Sequence, residues 1–131
     1  MASNTIERLA RVAKIGTLKL IHRGRKSGKE YEVTIWFLVD GARLFLPTAN
    51  RNRNWVKNAI KTPRVTLEIG DDAFQGDAQI LERPEDREHV MSLVLRKYWY
   101  AAPMMIAARF LMSLGIVNDM TAAFEVKLVD A

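Results

Sequence analysis

The densest chemical signal in this sequence is a short basic segment in which four cations and a serine surround two glycines. The segment reads Arg23-Gly24-Arg25-Lys26-Ser27-Gly28-Lys29. A turn of this composition presents guanidinium, ammonium, hydroxyl and backbone N–H groups, all of which bind phosphate. It is not a P-loop, because a P-loop has four residues between its glycines, whereas here three residues intervene. A solvated hairpin tip has the same composition, so the segment alone leaves a phosphate site and a plain basic turn equally open.

Polar residues from Thr48 to Asn54 lead into a short predicted helix, Trp55 to Lys61, that could supply a second set of anion contacts. A helix N-terminus offers unpaired N–H groups and the positive end of the helix dipole. Trp55 could stack on a planar ring or belong to the core, and the sequence favours neither interpretation.

A third signal is the aromatic run Tyr98-Trp99-Tyr100 at the end of a predicted helix. Adjacent helical side chains cannot all face one core, so at least one of these rings should line a cleft or a partner surface. Tyr98 continues the apolar face of the helix and could be a core residue. Trp99 or Tyr100 is then the better candidate for a pocket.

Side chains that usually carry catalysis are scarce. The chain has no cysteine, which excludes disulfides, thiolate metal sites and a cysteine nucleophile. His22 and His89 are the only histidines and lack metal-ligand spacing, so we expect ordinary surface or strand residues and no metal site. A protein equipped for a phosphate and a flat ring, yet poor in catalytic groups, favours chemistry carried out by a cofactor.

Charge is distributed unevenly along a chain whose 131 residues we expect to form a single domain, residues 1–131. Residues 1–66 hold 14 basic and 4 acidic side chains, a net +10, whereas residues 67–131 hold 6 and 11, a net −5. The first half is therefore suited to an anion. We expect no nucleic-acid partner, because the aromatics are not interleaved with the cations as stacking platforms.

The most apolar stretch, Ala101 to Val117, is short for a membrane span and is interrupted by Arg109. It suits a buried helix, a homodimer interface or peripheral contact with a membrane surface, and we expect the buried helix. Met1 to Thr5 lack the apolar core of a signal peptide, so a cytoplasmic location is expected, with membrane association as the alternative.

The pattern of apolar residues and turn signals predicts six strands: Thr17–His22, Tyr31–Val39, Arg43–Leu46, Val65–Ile69, Phe74–Leu81 and Phe124–Val129. The first three should form an antiparallel meander, since Asp40-Gly41 is a strong turn signal. A leading helix capped by Asn4 and a helix beginning at Pro84 complete the prediction. With no long parallel crossover, the expected fold is mainly β with α, a six-stranded antiparallel split barrel decorated by helices.

Several of these residues resemble the deazaflavin-dependent nitroreductases of the flavin-binding split-barrel superfamily. The likeness runs from about Leu18 to Tyr98. It rests on Gly24-Arg25-Lys26-Ser27-Gly28-Lys29, Ile35-Trp36, Asp40-Gly41, Trp55-Val56-Lys57-Asn58 and Pro63-Arg64-Val65-Thr66. Members of that family use coenzyme F420, a deazaflavin with a phosphate and an oligoglutamate tail, so the resemblance implies this cofactor.

The resemblance also implies roles for individual residues. The predicted cofactor-binding residues are Arg25, Lys26 and Ser27 at the phosphate, Thr48, Ala49, Asn50 and Arg51 near the rings, and Trp55 and Asn58 on the helix. Tyr98 and Tyr100 match aromatics that shape the substrate side, so the resemblance makes them the candidate catalytic residues. The proton that accompanies the hydride could come from solvent or from a tyrosine. The expected activity is hydride transfer from reduced deazaflavin to a small electron-poor acceptor, such as a quinone, a nitro compound or an enone.

This chain departs from the family pattern at two places. It has Ala49-Asn50-Arg51-Asn52-Arg53 where the family usually has a Gly-rich loop, and Thr34 where it often has Pro. Two alternatives therefore stay open: a split barrel that binds flavin mononucleotide (FMN), and a non-enzymatic binding module for a hydrophobic or anionic ligand.

Overall fold

The computed structural model describes residues 2–116 and 121–129, with side chains from Asn4 onward. In chain order these residues form α1 (Ala2–Val12), β1 (Leu18–Arg23), β2 (Glu30–Ile35), β3 (Leu38–Asp40), β4 (Arg43–Thr48), α2 (Asn54–Lys61), β5 (Arg64–Ile69), β6 (Asp72–Ile80), α3 (Pro84–Lys97), a 3-10 helix (Trp99–Ala101), α4 (Ala102–Ser113) and β7 (Ala122–Leu128).

All seven strands belong to one antiparallel sheet in the order β2-β1-β5-β6-β7-β4-β3. Its two edge strands, β2 and β3, are consecutive in the chain and are separated only by Trp36 and Phe37. Three Cα–Cα steps span at most about 11 Å, so Ile35 on one edge must lie close to Leu38 on the other. The sheet therefore curls until its edges approach, as the predicted split barrel requires.

The prediction of six strands is wrong by one, because Tyr31–Val39 is two strands rather than one. β1 offers β2 partners only as far as the pair Leu18–Ile35. Beyond that pair the chain crosses to the opposite edge, where β3 pairs with β4. The predicted meander is also wrong: β1–β2 and β3–β4 are separate hairpins at the two ends of the strand order.

Apolar residues of the sheet, α1 and α2 form the main core inside the curled sheet, while α3 covers a smaller cluster around Phe45 and Tyr98. α1 begins at Ala2, before the predicted cap Asn4, and buries Leu9 and Val12. An Arg8–Asp72 ion pair of 2.7 Å ties α1 to β6. α3 begins at Pro84, as predicted.

The expected burial of the Ala101 to Val117 stretch is wrong for the part that the structure describes. No residue of α4 is buried, and Met104, Ile106 and Phe110 are each more than 60% exposed. Val117 lies outside the described residues. No helix in the described ranges combines the length and apolar character needed to cross a membrane.

Candidate functional site

The basic segment forms the tight turn of the β1–β2 hairpin. The N–H of Gly24 donates to the carbonyl of Lys29 at 2.8 Å, and the N–H of Gly28 donates to the carbonyl of Gly24 at 3.0 Å. A Cβ on Gly24 would lie 2.8 Å from Ser27 Oγ and 2.9 Å from Tyr31 Cε2, so a side chain there would have to displace one of these two residues. Gly28 has φ +72°, a left-handed conformation that glycine adopts without strain.

A cleft of about 600 Å³ lies between this turn and the first half of α2. This volume falls within the usual range for a small-molecule site. The lining residues are His22, Gly24, Arg25, Lys26, Ser27, Tyr31, Glu32, Val33, Arg53, Asn54, Trp55 and Asn58. Five predicted cofactor-binding residues, namely Arg25, Lys26, Ser27, Trp55 and Asn58, are thereby brought to one place.

Asn58 joins the two walls of the cleft through its buried amide, which is 3% exposed. Its Oδ1 accepts from the backbone N–H of Arg25 at 3.1 Å and from the guanidinium Nη1 of Arg25 at 2.8 Å. Its Nδ2 lies 3.0 Å from Nδ1 of His22. The position of the hairpin turn and the direction of the Arg25 side chain are therefore tied to α2.

His22 extends the inward-facing series of β1, after Leu18 and Leu20. Its ring stacks on Tyr31 with centroids 5.9 Å apart. Burial lowers the pKa of His22 below its ordinary value, because a charged imidazolium is poorly solvated there. His22 is thus a neutral hydrogen-bonding residue at neutral pH, and it carries no positive charge into the cleft.

The cleft has cationic donors that the described part of the chain leaves without partners. Lys26 and the guanidinium of Arg53 have no hydrogen-bond or ion-pair partner among the described residues, and the bond to Asn58 occupies only part of the Arg25 guanidinium. Among the described residues, the backbone N–H groups of Lys26 and Ser27 likewise have no hydrogen-bond acceptor. Glu32, which pairs with Lys19 at 3.7 Å, is the only acidic residue among those lining the cleft.

Trp55 is only 4% exposed and packs at 5.5 Å against Phe124 in the core. It borders the cleft but exposes no open ring face there. Of the two alternatives that the sequence left open, Trp55 is therefore mainly a core residue. Val33 and Tyr31 supply the remaining apolar lining. The cleft consequently has a cationic mouth at the hairpin and an apolar wall formed by β2 and α2.

Thr48 is the last residue of β4, and Ala49, Asn50 and Arg51 follow in the loop before α2; none of the four lines the cleft. The Thr48 hydroxyl accepts from the N–H of Asn50 at 3.2 Å, which shapes a local turn that leaves Ala49 exposed. The Arg51 guanidinium donates to the carbonyl of Thr121 at 2.7 Å. These four residues adjoin the cleft through Arg53 and Asn54, and their contact with a cofactor stays a prediction.

Tyr98 lies in the core, 1% exposed, at the seam between the two sheet edges. Its ring stacks on Trp36 at 3.9 Å. Its hydroxyl accepts from the N–H of Phe37 at 3.3 Å and donates to the carbonyl of Gly16 at 2.7 Å. Lys97 donates to the carbonyl of Phe37 at 2.9 Å. The bonds to Phe37 satisfy backbone groups that the crossing from β2 to β3 leaves outside the ladder, and the bond to Gly16 ties the seam to the segment before β1.

Tyr100 is 64% exposed on the 3-10 helix and is in edge contact with the rings of Tyr98 and Trp99. It does not line the cleft described above. Of the two tyrosines predicted to shape the substrate side, therefore, only Tyr100 is accessible, and its role there remains a prediction.

Sequence reasoning missed His22 and Tyr31 as lining residues. For His22 a signal was present: it follows Leu18 and Leu20 at strand periodicity and so belongs to the inner face. Arg53 lies in the polar segment before the predicted helix, from which a second set of anion contacts was expected, and it does line the cleft. No group of three or more potential metal-ligating side chains occurs among the described residues.

Comparison with known proteins gives one family match and many fold matches. The family model described as F420H(2)-dependent quinone reductase matches residues 3–109. No curated protein matches the sequence.

Among solved structures, a candidate pyridoxamine 5'-phosphate oxidase from Listeria innocua superposes with a TM-score of 0.70 at 14% identity, covering 97% of this chain and 94% of its own. An F420-H2 dependent reductase, FDR-A, has a TM-score of 0.62 at 21% identity, with 85% and 93% covered. A domain-swapped dimer has a TM-score of 0.64 at 18% identity, with 95% of both chains covered. At these identities the solved structures show a shared fold.

Proposed function

Because the chain belongs to the F420H(2)-dependent quinone reductase family, we propose that it catalyses the two-electron reduction of a quinone by reduced coenzyme F420. The protein is an F420-dependent reductase by its family. The identity of the acceptor is the proposed part, with nitro compounds and enones as the other electron-poor acceptors of the same chemical class.

The cleft fits the phosphate of such a cofactor. Its cationic mouth supplies Arg25, Lys26 and Arg53, which have donors left over after their contacts within the described protein. The absence of a side chain at Gly24 keeps the turn compact, since a Cβ would collide with Ser27 and Tyr31. Unpaired N–H groups and guanidinium forks together are a common arrangement for binding phosphate. This set of unused cationic donors beside an apolar wall is the observation that carries the proposal.

When bound, reduced F420 supplies the hydride. The residues of this chain bind and orient: Arg25 and Lys26 would hold the phosphate end, and the apolar wall at Val33 and Tyr31 would exclude water from one side of the cofactor. A quinone that takes up one hydride and one proton becomes a hydroquinone. Solvent at the open side of the cleft can deliver that proton, so no protein acid is required.

The activity test is the oxidation of reduced F420 by a soluble quinone, followed through the return of deazaflavin absorbance, with a nitroarene and a cyclic enone in parallel. We expect turnover with the quinone and a loss of cofactor affinity in the Arg25→Ala/Lys26→Ala double variant. Tight binding of FMN with no binding of F420 would overturn the cofactor assignment. Binding of F420 without turnover of any acceptor would overturn the proposed reaction.

We further propose that the exposed apolar face of α4 pairs with a second copy of the chain. Met104, Ile106 and Phe110 give this face its apolar character, and its cation Arg109 is engaged with Glu88 at 3.7 Å. A face without free cations is poorly suited to an anionic membrane, and one structure of this fold is a domain-swapped dimer. Light scattering should show a dimer that Phe110→Glu converts to a monomer; a monomeric wild type that floats with vesicles would instead support membrane contact.

A further inference from the structure

The amide of Asn58 can satisfy its contacts in one orientation only. Both donors from Arg25, the backbone N–H at 3.1 Å and Nη1 at 2.8 Å, point at the same atom of the amide, which must therefore be the oxygen. The other amide atom is then the NH₂ group, and it lies 3.0 Å from Nδ1 of His22. Nδ1 must accept this bond, so the imidazole is neutral and carries its proton on Nε2.

We propose that His22 is a positioning residue for the anion site: its unprotonated Nδ1 holds the Asn58 amide in the orientation that presents Arg25 to the cleft. The proposal rests on the proposed function, in which Arg25 contacts the cofactor phosphate. His22 itself need not touch the cofactor.

Each hydrogen bond from His22 through Asn58 to Arg25 has a fixed donor and a fixed acceptor, so a change at His22 affects Arg25. A protonated His22 would turn an N–H donor toward the NH₂ group of Asn58, so two donors would face each other. The amide could avoid this clash by flipping, but its NH₂ group would then face both donors of Arg25. The flip therefore removes the hydrogen bonds that direct the Arg25 guanidinium, and without the flip the unfavourable contact between two donors remains. The orientation of Arg25 is thus conditional on the protonation state of a residue behind it.

The surroundings of His22 favour its neutral form at neutral pH. Tyr31 from β2 stacks on the imidazole ring. The positively charged groups that line the cleft are Arg25 and Lys26 in the turn and Arg53 before α2. Glu32, also on β2, is paired with Lys19. Burial lowers the pKa of His22, so the switch lies on the acid side of its ordinary value, which is about 6.5.

The test compares F420 affinity across pH in four proteins: the wild type, His22→Asn, His22→Leu and His89→Asn. Asparagine places an acceptor oxygen one bond beyond Cγ, as His places Nδ1, and this oxygen does not titrate. Leucine keeps the branched shape without an acceptor. His89 is a half-exposed histidine paired with Asp40, so its replacement controls for the loss of a histidine that does not line the cleft.

Between about pH 5 and pH 8, the wild type and His89→Asn should lose affinity on the acid side by about tenfold, the value of one hydrogen bond to a charged group. His22→Asn should bind as well as the wild type at neutral pH and keep its affinity in acid. His22→Leu should be about tenfold weaker at every pH. Titration of the cofactor is common to all four proteins and cancels in the comparison. Equal acid loss in the wild type and His22→Asn would overturn the proposal.

Imidazole ¹⁵N chemical shifts of the protein without cofactor give a second readout that needs neither folding of His22→Leu nor cofactor binding. They should show the Nε2–H tautomer of His22 at neutral pH, and a mixed population once Asn58→Ala removes the donor. An Nδ1–H tautomer in the wild type would overturn the proposal. If Arg25→Ala leaves F420 affinity unchanged, the phosphate assignment fails instead, and the two failures are distinguishable.

Discussion

Removal of the two cations at the tip of the β1–β2 hairpin tests the assignment of the phosphate site most directly. In the Arg25→Ala/Lys26→Ala double variant the hairpin should persist, because its turn is closed by the backbone bonds of Gly24, Gly28 and Lys29. Lys26 has no partner among the described residues, so its loss costs the free protein nothing. Arg25 gives up its side-chain bond to Asn58, while its backbone N–H still donates to the same oxygen.

The magnitude follows from the contacts that a bound phosphate would lose. A hydrogen bond to a charged group contributes about 1.5–3 kcal/mol, and the low end applies because Lys26 is exposed and Arg25 half-buried. Two such contacts amount to about 3 kcal/mol, or about 150-fold in the dissociation constant. The sum is an upper value, since the two residues are neighbours and their contributions need not add.

The assay is a titration with F420, followed by quenching of the three tryptophans of the chain. The matched control is Arg23→Ala/Lys29→Ala, which removes the same two charges from the same hairpin at positions that do not line the cleft. Arg23 is occupied by Glu30 and by the carbonyl of Gly28. The control should lose only the small, salt-screened part of the attraction. Equal losses in both double variants would refute the reasoning, because the effect would then come from net charge and not from placed donors.

Three further predictions concern the elements that hold the site. Tyr98→Phe should lower the free energy of unfolding by about 1–3 kcal/mol, because backbone groups at the seam lose their partner. Urea denaturation measures this change, and F420 affinity should stay the same. An equal loss of stability in Tyr100→Phe would contradict the structural role of Tyr98. Gly24→Ala should weaken F420 binding, because the added Cβ displaces Ser27 or Tyr31. Gly16→Ala should leave F420 binding unchanged, because no atom lies within 4 Å of the added Cβ. Equal affinities of the two variants would contradict the close fit at Gly24. Burial lowers the pKa of Lys97 to about 8, so above that pH the folded state releases a proton that the unfolded chain retains up to its ordinary pKa, and stability should rise with pH in this window. Chemical denaturation of Lys97→Met should lack this rise, and the same pH dependence in both proteins would show that Lys97 does not cause it.

Much of the site could be predicted because its parts are local in sequence. The turn of the β1–β2 hairpin and the start of α2 are each predicted by a pattern of residues that are adjacent in sequence. The resemblance of these segments to a known family then joined them into one site. The structure supports that joining for Arg25, Lys26, Ser27, Trp55 and Asn58, which line the same cleft.

Errors arose where a residue depends on a distant partner. His22 looked ordinary because its partner Asn58 is 36 positions away. Tyr98 could be assigned either to the core or to the substrate side, because nothing near it in sequence shows that its hydroxyl reaches Gly16, 82 positions away. The burial expected for α4 was wrong in the same way, since an apolar composition does not say which surface covers the helix.

The split of the predicted strand Tyr31–Val39 separates what the local sequence determines from what only the tertiary structure decides. Alternation of apolar residues, set by the backbone geometry of an extended chain, predicted strand through the whole segment. It could not place Trp36 and Phe37 at a crossing, because the crossing exists only once five other strands lie between β2 and β3 in the sheet. Backbone preferences and charge are properties of short segments and can be read from them. The meeting of Arg25 with the buried side chains of His22 and Asn58 depends on the curl of the whole sheet, since hydrogen bonds act only over about 3 Å.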